Sequence, residues 1–407
     1  MSPTGPAAGV WMLLTLGVLI VGTGLPVWAL LCGTASAFAA FGLASGQFDL
    51  NILSALPTRL VGLLEHDLLQ ALPLYVFIGV LLQRLSVADA LFSSLTRFFR
   101  PAGAAQSLAA LAVGALIAPM NGSVASSSAL LSRLVAPRLG AADPARATAL
   151  ISVSATIGVV VPPSLVLILL GDAMLNAHTE ASNLPGFTLG TQRIINTQDV
   201  FHAALLPAAS VLALWSLVAW WQGRRCASSA LIVAPRRSEM ALALLAVAAI
   251  LILLAGVFSG KIYAVEGAAT GGVLLIVSTL ASRALNRVQW REVLGNTLSL
   301  SGALFALLVG ATSFSLVFRL FGTDRWLAAL VLGSTLSAQF TAALVLMAVG
   351  LCAWVLDAFE MIFVIIPVLA PPLIVQLGDA QQAAVLLLLV LAYKPAGLFG
   401  KTAIKKV

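Results

Sequence analysis

Charge is what this sequence has least of. Only 9% of its 407 residues are Asp, Glu, Lys or Arg, while 60% are hydrophobic; an ordinary soluble domain carries roughly 25% charged residues. Mean hydropathy is +1.06. That balance excludes a large soluble core. Length alone would suggest two or three soluble domains, but apolar runs of about 20 residues recur along the whole chain, so 1–407 is read as one polytopic membrane unit. The 22 Lys and Arg form no polybasic run, so the net charge of +7 marks topology rather than a nucleic-acid surface. Cysteine is scarce too. Cys32 and Cys352 lie in apolar segments and Cys226 in a basic loop, with neither metal spacing nor a disulfide framework. His66, His178 and His202 form no cluster. There is no P-loop, no GxGxxG after a strand and no nucleophile–base set, so neither ATP-driven transport nor an enzyme is expected. The first apolar stretch, residues 10–43, is too long for a signal-peptide core and is read as mature structure.

What is present is a series of about a dozen apolar segments, several too short to cross a membrane alone. Residues 10–31 and 32–43 form an opening pair bent near Pro26. Residues 68–85, 107–120, 122–135 and 147–170 follow. Residues 200–221, 240–258, 262–280, 298–318 and 326–340 are more regular, and 341–354, 358–377 and 383–391 close the series. Loop charge orients them. Loop 222–239 holds Arg224, Arg225, Arg236 and Arg237, and loop 281–297 holds Arg283, Arg287 and Arg291; two spans apart, they share the cytoplasmic side. The long polar loop 173–199 is one span away and belongs outside.

Three stretches carry chemistry. In "LIAPMNGSVASSSALLSRLVAP" (Leu116 to Pro137), Pro119 and Asn121-Gly122 mark a turn between two segments of about 14 residues, against roughly 20 needed to cross. Such a pair can enter and leave on one side as a re-entrant hairpin. Its tip offers Asn121, Gly122, Ser123, Ser126, Ser127 and Ser128, hard oxygen donors suited to Na⁺. An ordinary helix pair with small interface residues is the other reading. In "ATIGVVVPPSLVLILLGD" (Ala155 to Asp172), Gly158 to Pro163 is not expected to be regular helix, because Pro162 and Pro163 remove donors and clash with the preceding turn. Freed carbonyls near Thr156 and Gly158 suit a cation, and the half-helix beginning at Ser164 suits an anion; a packed proline kink is the alternative. In "LCAWVLDAFEMIFVIIPVLAPP" (Leu351 to Pro372), Asp357 and Glu360 share one helix face. Within a membrane they are functional candidates; at its interface they are merely solvated. Pro367, Pro371 and Pro372 are expected to break that segment. Residues 116–172 and 351–391 echo each other, as internal-repeat transporters do. Glu266, in "YAVEGAATGG", reads as an interfacial residue by a short loop rather than a proton carrier.

These blocks resemble those of a known family. "ATIGVVVPPSLVLILLGD" is similar to the "GTLG-x-x-x-PPS…GD" motif of the large, DctM-type membrane subunit of tripartite ATP-independent periplasmic (TRAP) transporters. "ALPLYVFIGVLLQRLSVADALF", "YAVEGAATGG", "GATSFSLVFRLFGTD" and "VLDAFEMIFVIIPVLAPP" match further blocks in order, covering roughly residues 10–390. The resemblance implies an all-α polytopic membrane protein with two re-entrant helical hairpins and broken helices in an inverted-repeat, elevator-type transporter. It implies Na⁺-coupled import of an organic acid anion, such as a dicarboxylate or 2-oxo acid, across a bacterial inner membrane, with Na⁺ as coupling ion and no other cofactor. Partners would be a small four-helix membrane subunit and a periplasmic substrate-binding protein, within the lipid bilayer and without nucleic acid. Na⁺ would sit at Asn121, Ser123, Thr156 and Ser164, with Pro162 and Pro163 shaping the break and Asp357 and Glu360 opening the second hairpin. The expected layout is N-terminal spans 1–100, a first repeat 104–172, external loop 173–199, middle spans 200–295, a second repeat 296–391 and a divergent basic tail 392–407. A second PP block is expected after residue 391. The chain instead reads "AYKPAGLFGKTAIKKV", as a truncated, frame-shifted or divergent end would; a degenerate, non-transporting membrane scaffold is therefore the alternative expectation.

Overall fold

The structure is a computed structural model that describes residues 5–49, 51, 54–65, 67–85, 87–99, 104–121, 124–137, 144–162, 164–184, 197–223, 237–333, 337–352, 356 and 358–377. Among the described residues every regular element is a helix. In chain order they are α1 (Gly5–Thr23), α2 (Val27–Ala44), α3 (Ala55–Leu64), α4 (Asp67–Arg84), α5 (Val87–Phe98), α6 (Ala105–Asn121), α7 (Val124–Val135), α8 (Pro144–Val160) and α9 (Leu165–Ala181). Then come α10 (Thr197–Gly223), α11 (Arg237–Phe258), α12 (Ala264–Ser282), α13 (Arg287–Leu320), α14 (Thr323–Leu332), α15 (Ala338–Cys352), α16 (Ala358–Glu360), a π-turn (Met361–Ile365) and α17 (Ile366–Leu377). Six helical stretches are long and apolar enough to cross a membrane, or up to eight if the bent pairs α4–α5 and α8–α9 each count as one span. The expected dozen segments include pieces of 10–17 residues, such as 105–117, 247–258 and 339–352.

Helix ends follow local chemistry. α1 and α2 part at Gly24, which takes a positive φ of 64°, and Pro26 caps α2. α13 begins earlier than its apolar core. The Asn286 N–H donates to Gln289 Oε1 at 2.9 Å and the Gln289 N–H to Asn286 Oδ1 at 2.8 Å. This reciprocal cap starts the helix eleven residues before Leu298, so most of the expected loop 281–297 is helical.

Two of the proline expectations are corrected. Gly158 to Val160 remain in α8, because the Val161 N–H still donates to the Ile157 carbonyl at 3.2 Å; the ladder fails only where Pro162 has no N–H to give. Pro367, Pro371 and Pro372 do not break their segment either, since residues 358–377 run as one helical stretch. The π-turn Met361–Ile365 ends two residues before Pro367, and the Ile366 N–H donates to the Met361 carbonyl, the wider i→i+5 bonding of a π-turn.

The contacts divide the chain into two compact units: residues 1–69, 169–200 and 301–407, and residues 70–168 and 201–300. In the first, α1 packs on α2 and α14, and α17 on α14 and α15. Phe321 meets Phe38 and Phe48 edge-on at centroid distances of 6.4 and 5.5 Å. A Cβ on Gly310 would stand 3.0 Å from the Trp28 carbonyl oxygen, so α13 approaches α2 backbone to backbone. Arg319, at the end of α13, pairs with Glu180, at the end of α9. In the second unit, α6, α7 and α8 pack on one another, α5 packs on α6 and α11, and α11 packs on α12.

Candidate functional site

The second unit holds the short helix pair, α8, the break after it and the first turn of α9. α6 has 17 residues and α7 has 12, about 25 and 18 Å long, and two residues separate them. Both ends of the pair are anchored. Gly223, closing α10, lies so near Ala104 that a Cβ would overlap it. At the other end, Arg133 pairs with Asp89 at 3.1 Å and donates to the Gln83 carbonyl at 2.9 Å. The neighbouring Arg84 pairs with Glu292 of α13 at 3.0 Å. The start of α6 therefore lies beside the end of α10, and the end of α7 beside α4 and α5, whose adjoining ends reach the start of α13.

α6 crosses α8 in direct backbone contact. A Cβ on Gly114 would overlap the Ser154 carbonyl oxygen, so only glycine permits this approach. Ser154 is fully buried, and its hydroxyl has no hydrogen-bond partner among the described residues. Two residues on, half-buried Thr156 donates its hydroxyl to the Val153 carbonyl at 2.9 Å. Its oxygen lone pairs are not consumed by donating.

The break spans residues 161–164. Prolines at 162 and 163 supply no N–H to the Gly158 and Val159 carbonyls. Ser164, 1% exposed, answers half of that deficit. Its hydroxyl donates to the Val159 carbonyl at 2.6 Å and accepts from the Leu167 N–H at 3.1 Å. One side chain thus staples the end of α8 and caps the start of α9. The carbonyl end of one half-helix and the N–H end of the next meet within four residues. Carbonyl oxygens attract cations, and the positive end of a helix attracts carboxylates.

Of the residues expected at the site, Thr156, Gly158, Pro162 and Ser164 lie together on the α8–α9 junction, with Gly158 and Ser164 buried and Thr156 and Pro162 half-buried. Pro163 lies outside the described residues. Asn121 ends α6, and Ser126, Ser127 and Ser128 belong to α7, which packs against α8. Ser127 is buried and Ser128 half-buried. Gly122, Ser123 and the side chains of Asn121 and Ser126 lie outside the described residues. Asp357 does too, and half-buried Glu360 closes α16 in the first unit.

Two residues were missed as site candidates. Ser154 was legible as the middle of the alternating hydroxyls in "SVSAT", residues 152–156. Asp172, 6% exposed, lies two turns beyond Ser164; its Oδ2 accepts from Asn176 Nδ2 at 3.4 Å. A carboxylate in an apolar run is itself the signal. Exposed Glu266 accepts the Tyr263 N–H at 3.0 Å and closes the first turn of α12.

A family model described as "Tripartite ATP-independent periplasmic transporter, DctM component" matches residues 12–394. No curated protein matches the chain.

Proposed function

We infer the function from one premise: the chain belongs to the DctM component family of tripartite ATP-independent periplasmic transporters. It is a large membrane subunit of such a transporter, and its partners are a small membrane subunit and a periplasmic binding protein. We propose that it carries an organic acid anion into the cell together with Na⁺. The observation that carries this reading is the α8–α9 break, where opposed half-helix ends and buried hydroxyls are held in place by Ser164. Na⁺ would take oxygens from the carbonyls of Gly158 and its neighbours and from Thr156, Ser154 and the α6–α7 tip, including Asn121 and Ser123. The first turn of α9 would face the substrate carboxylate. Irregular backbone at membrane depth survives only where it is buried in protein or lines a cavity, and broken helices of this kind form transporter ion sites.

The α6–α7 pair fits a re-entrant hairpin. Its two ends are tied to the end of α10 and, through Arg84 and Glu292, to the start of α13. Those are the helix ends that loop charge assigns to the cytoplasm.

Uptake of a radiolabelled C4 dicarboxylate or 2-oxo acid into proteoliposomes containing the whole transporter should require an inward Na⁺ gradient. Equal uptake with K⁺ replacing Na⁺ would sink the coupling mechanism. Binding is reciprocal under linkage, so Na⁺ should tighten acid binding by the same factor as the acid tightens Na⁺ binding.

A further inference from the structure

A cavity of about 490 Å³ lies within the second unit, between α6, α8 and α10. Its volume falls in the range of about 300–1,000 Å³ usual for small-molecule sites. Its polarity is graded along the helices. Ser107 in the first turn of α6, Arg146 in the first turn of α8 and Gln222 near the end of α10 line one end. Arg146 Nη2 donates to Ser107 Oγ at 3.2 Å. One to two turns further in, the walls are Leu111, Leu150, Val153, Val218 and Ala219. That inner wall continues into an apolar cluster containing Ile157 and Val161, while Arg146 stands about 22 Å along the chain axis from Val161.

The polar end sits at interface level. Trp220 and Trp221, 40% and 58% exposed, immediately precede Gln222, and exposed tryptophans mark the headgroup zone. Leu214 and Leu217 on α10, which do not line the cavity, are exposed as well, at 59% and 60%, as suits a helix side turned to hydrocarbon. At the polar end, the close approach of Gly223 to Ala104 holds α10 against α6.

We propose that this cavity is a binding site for an anionic phospholipid of the cytoplasmic leaflet, with its phosphate at Arg146, Ser107 and Gln222 and one acyl chain along the inner wall. Basic pockets between spanning helices on the cytoplasmic side suit such headgroups. A small dicarboxylate would leave the apolar depth unfilled. The site is separate from the proposed ion site and does not depend on which acid is carried.

The test is thermal unfolding of the purified full chain in mixed micelles containing either phosphatidylglycerol or phosphatidylcholine. Ligand that binds only the folded state raises Tm with its concentration. Phosphatidylglycerol should raise Tm and phosphatidylcholine should not. Arg146→Gln should weaken the phosphatidylglycerol response about tenfold, the scale of a lost charge-assisted hydrogen bond, and Arg146→Lys should retain most of it. Arg291→Gln, which removes an exposed cation of the same unit, should leave it intact. Should Arg146→Gln fail to fold, Ala149→Phe, which fills the cavity while keeping the cation, must abolish the response. Equal response to the two lipids, or an unchanged response in Arg146→Gln or in Ala149→Phe, overturns the proposal. Protection by succinate without lipid that Ala149→Phe abolishes would assign the cavity to the cargo instead and overturn it too.

Discussion

Ser164 closes one turn and opens the next, so its removal has two consequences. Ser164→Ala loses an N-cap and orphans the Val159 carbonyl, a combined cost of about 1–2 kcal/mol. A lowered Tm with weakened Na⁺ dependence of uptake is expected, and unchanged Na⁺ dependence would move the ion elsewhere. Gly114 gives a cleaner steric prediction. Gly114→Ala drives a methyl into the Ser154 carbonyl and should cost about 1–3 kcal/mol. Gly17→Ala, where nothing lies within 4 Å, should be neutral or stabilising by up to about 1 kcal/mol. Comparing the two melts separates close packing from helix propensity. Ser164 stood out in the sequence by its place after two prolines. Its bond back to Val159 was not, because that bond depends on how far α8 persists.

Proline at the level of elements behaves in two ways here. Pro162 and Pro163 interrupt the chain at 161–164, whereas Pro367, Pro371 and Pro372 sit in a continuous helical stretch. Composition alone cannot separate these outcomes: both segments are apolar and both carry a PP pair. A π-turn precedes the prolines in the continuous stretch, whereas at the break a serine hydroxyl answers the Val159 carbonyl. Pro162→Ala should restore one donor and let α8 extend. Thermal stability should hold or rise while Na⁺-dependent uptake falls; full retention of uptake would show the break to be incidental. Ion pairs at element ends should rank by burial. Glu180→Gln leaves Arg319 without its carboxylate partner at a site where both side chains are about a third exposed or less, and should cost about 1–3 kcal/mol. Asp89→Asn, at a pair nearly half exposed, should cost no more than about 1 kcal/mol.

For the molecule as a whole, the helical membrane character was readable from the long hydrophobic runs, which bilayer thickness sets, and the family from the order of its blocks. The structure describes six spanning helices, or up to eight, where about a dozen apolar segments were expected. Helix boundaries were less readable. The cap at Asn286 and Gln289 and the early end of α14 at Gly333 are local hydrogen-bond choices that a hydropathy profile averages away. Orientation has a direct check. In a chain lacking its three cysteines, Lys261→Cys, between α11 and α12, should react with an impermeant maleimide in intact spheroplasts. Ala284→Cys, between α12 and α13, should react only after lysis. The reverse pattern would invert the assignment.

The reciprocal cap on α13 also governs who can cut the chain. A protease needs several residues of extended backbone, which a capped helix withholds unless it unfolds locally. α13 has 34 residues, about 51 Å, against a hydrocarbon core of about 30 Å, so much of its charged start stands clear of the bilayer. Arg283 lies in the turn before it with φ of 49°, and Arg291 lies inside its second turn. Trypsin added to inside-out vesicles should therefore cleave after Arg283 well before Arg291, although a bare reading of loop 281–297 offers it both. Disabling the cap with Asn286→Ala should bring the second cut forward.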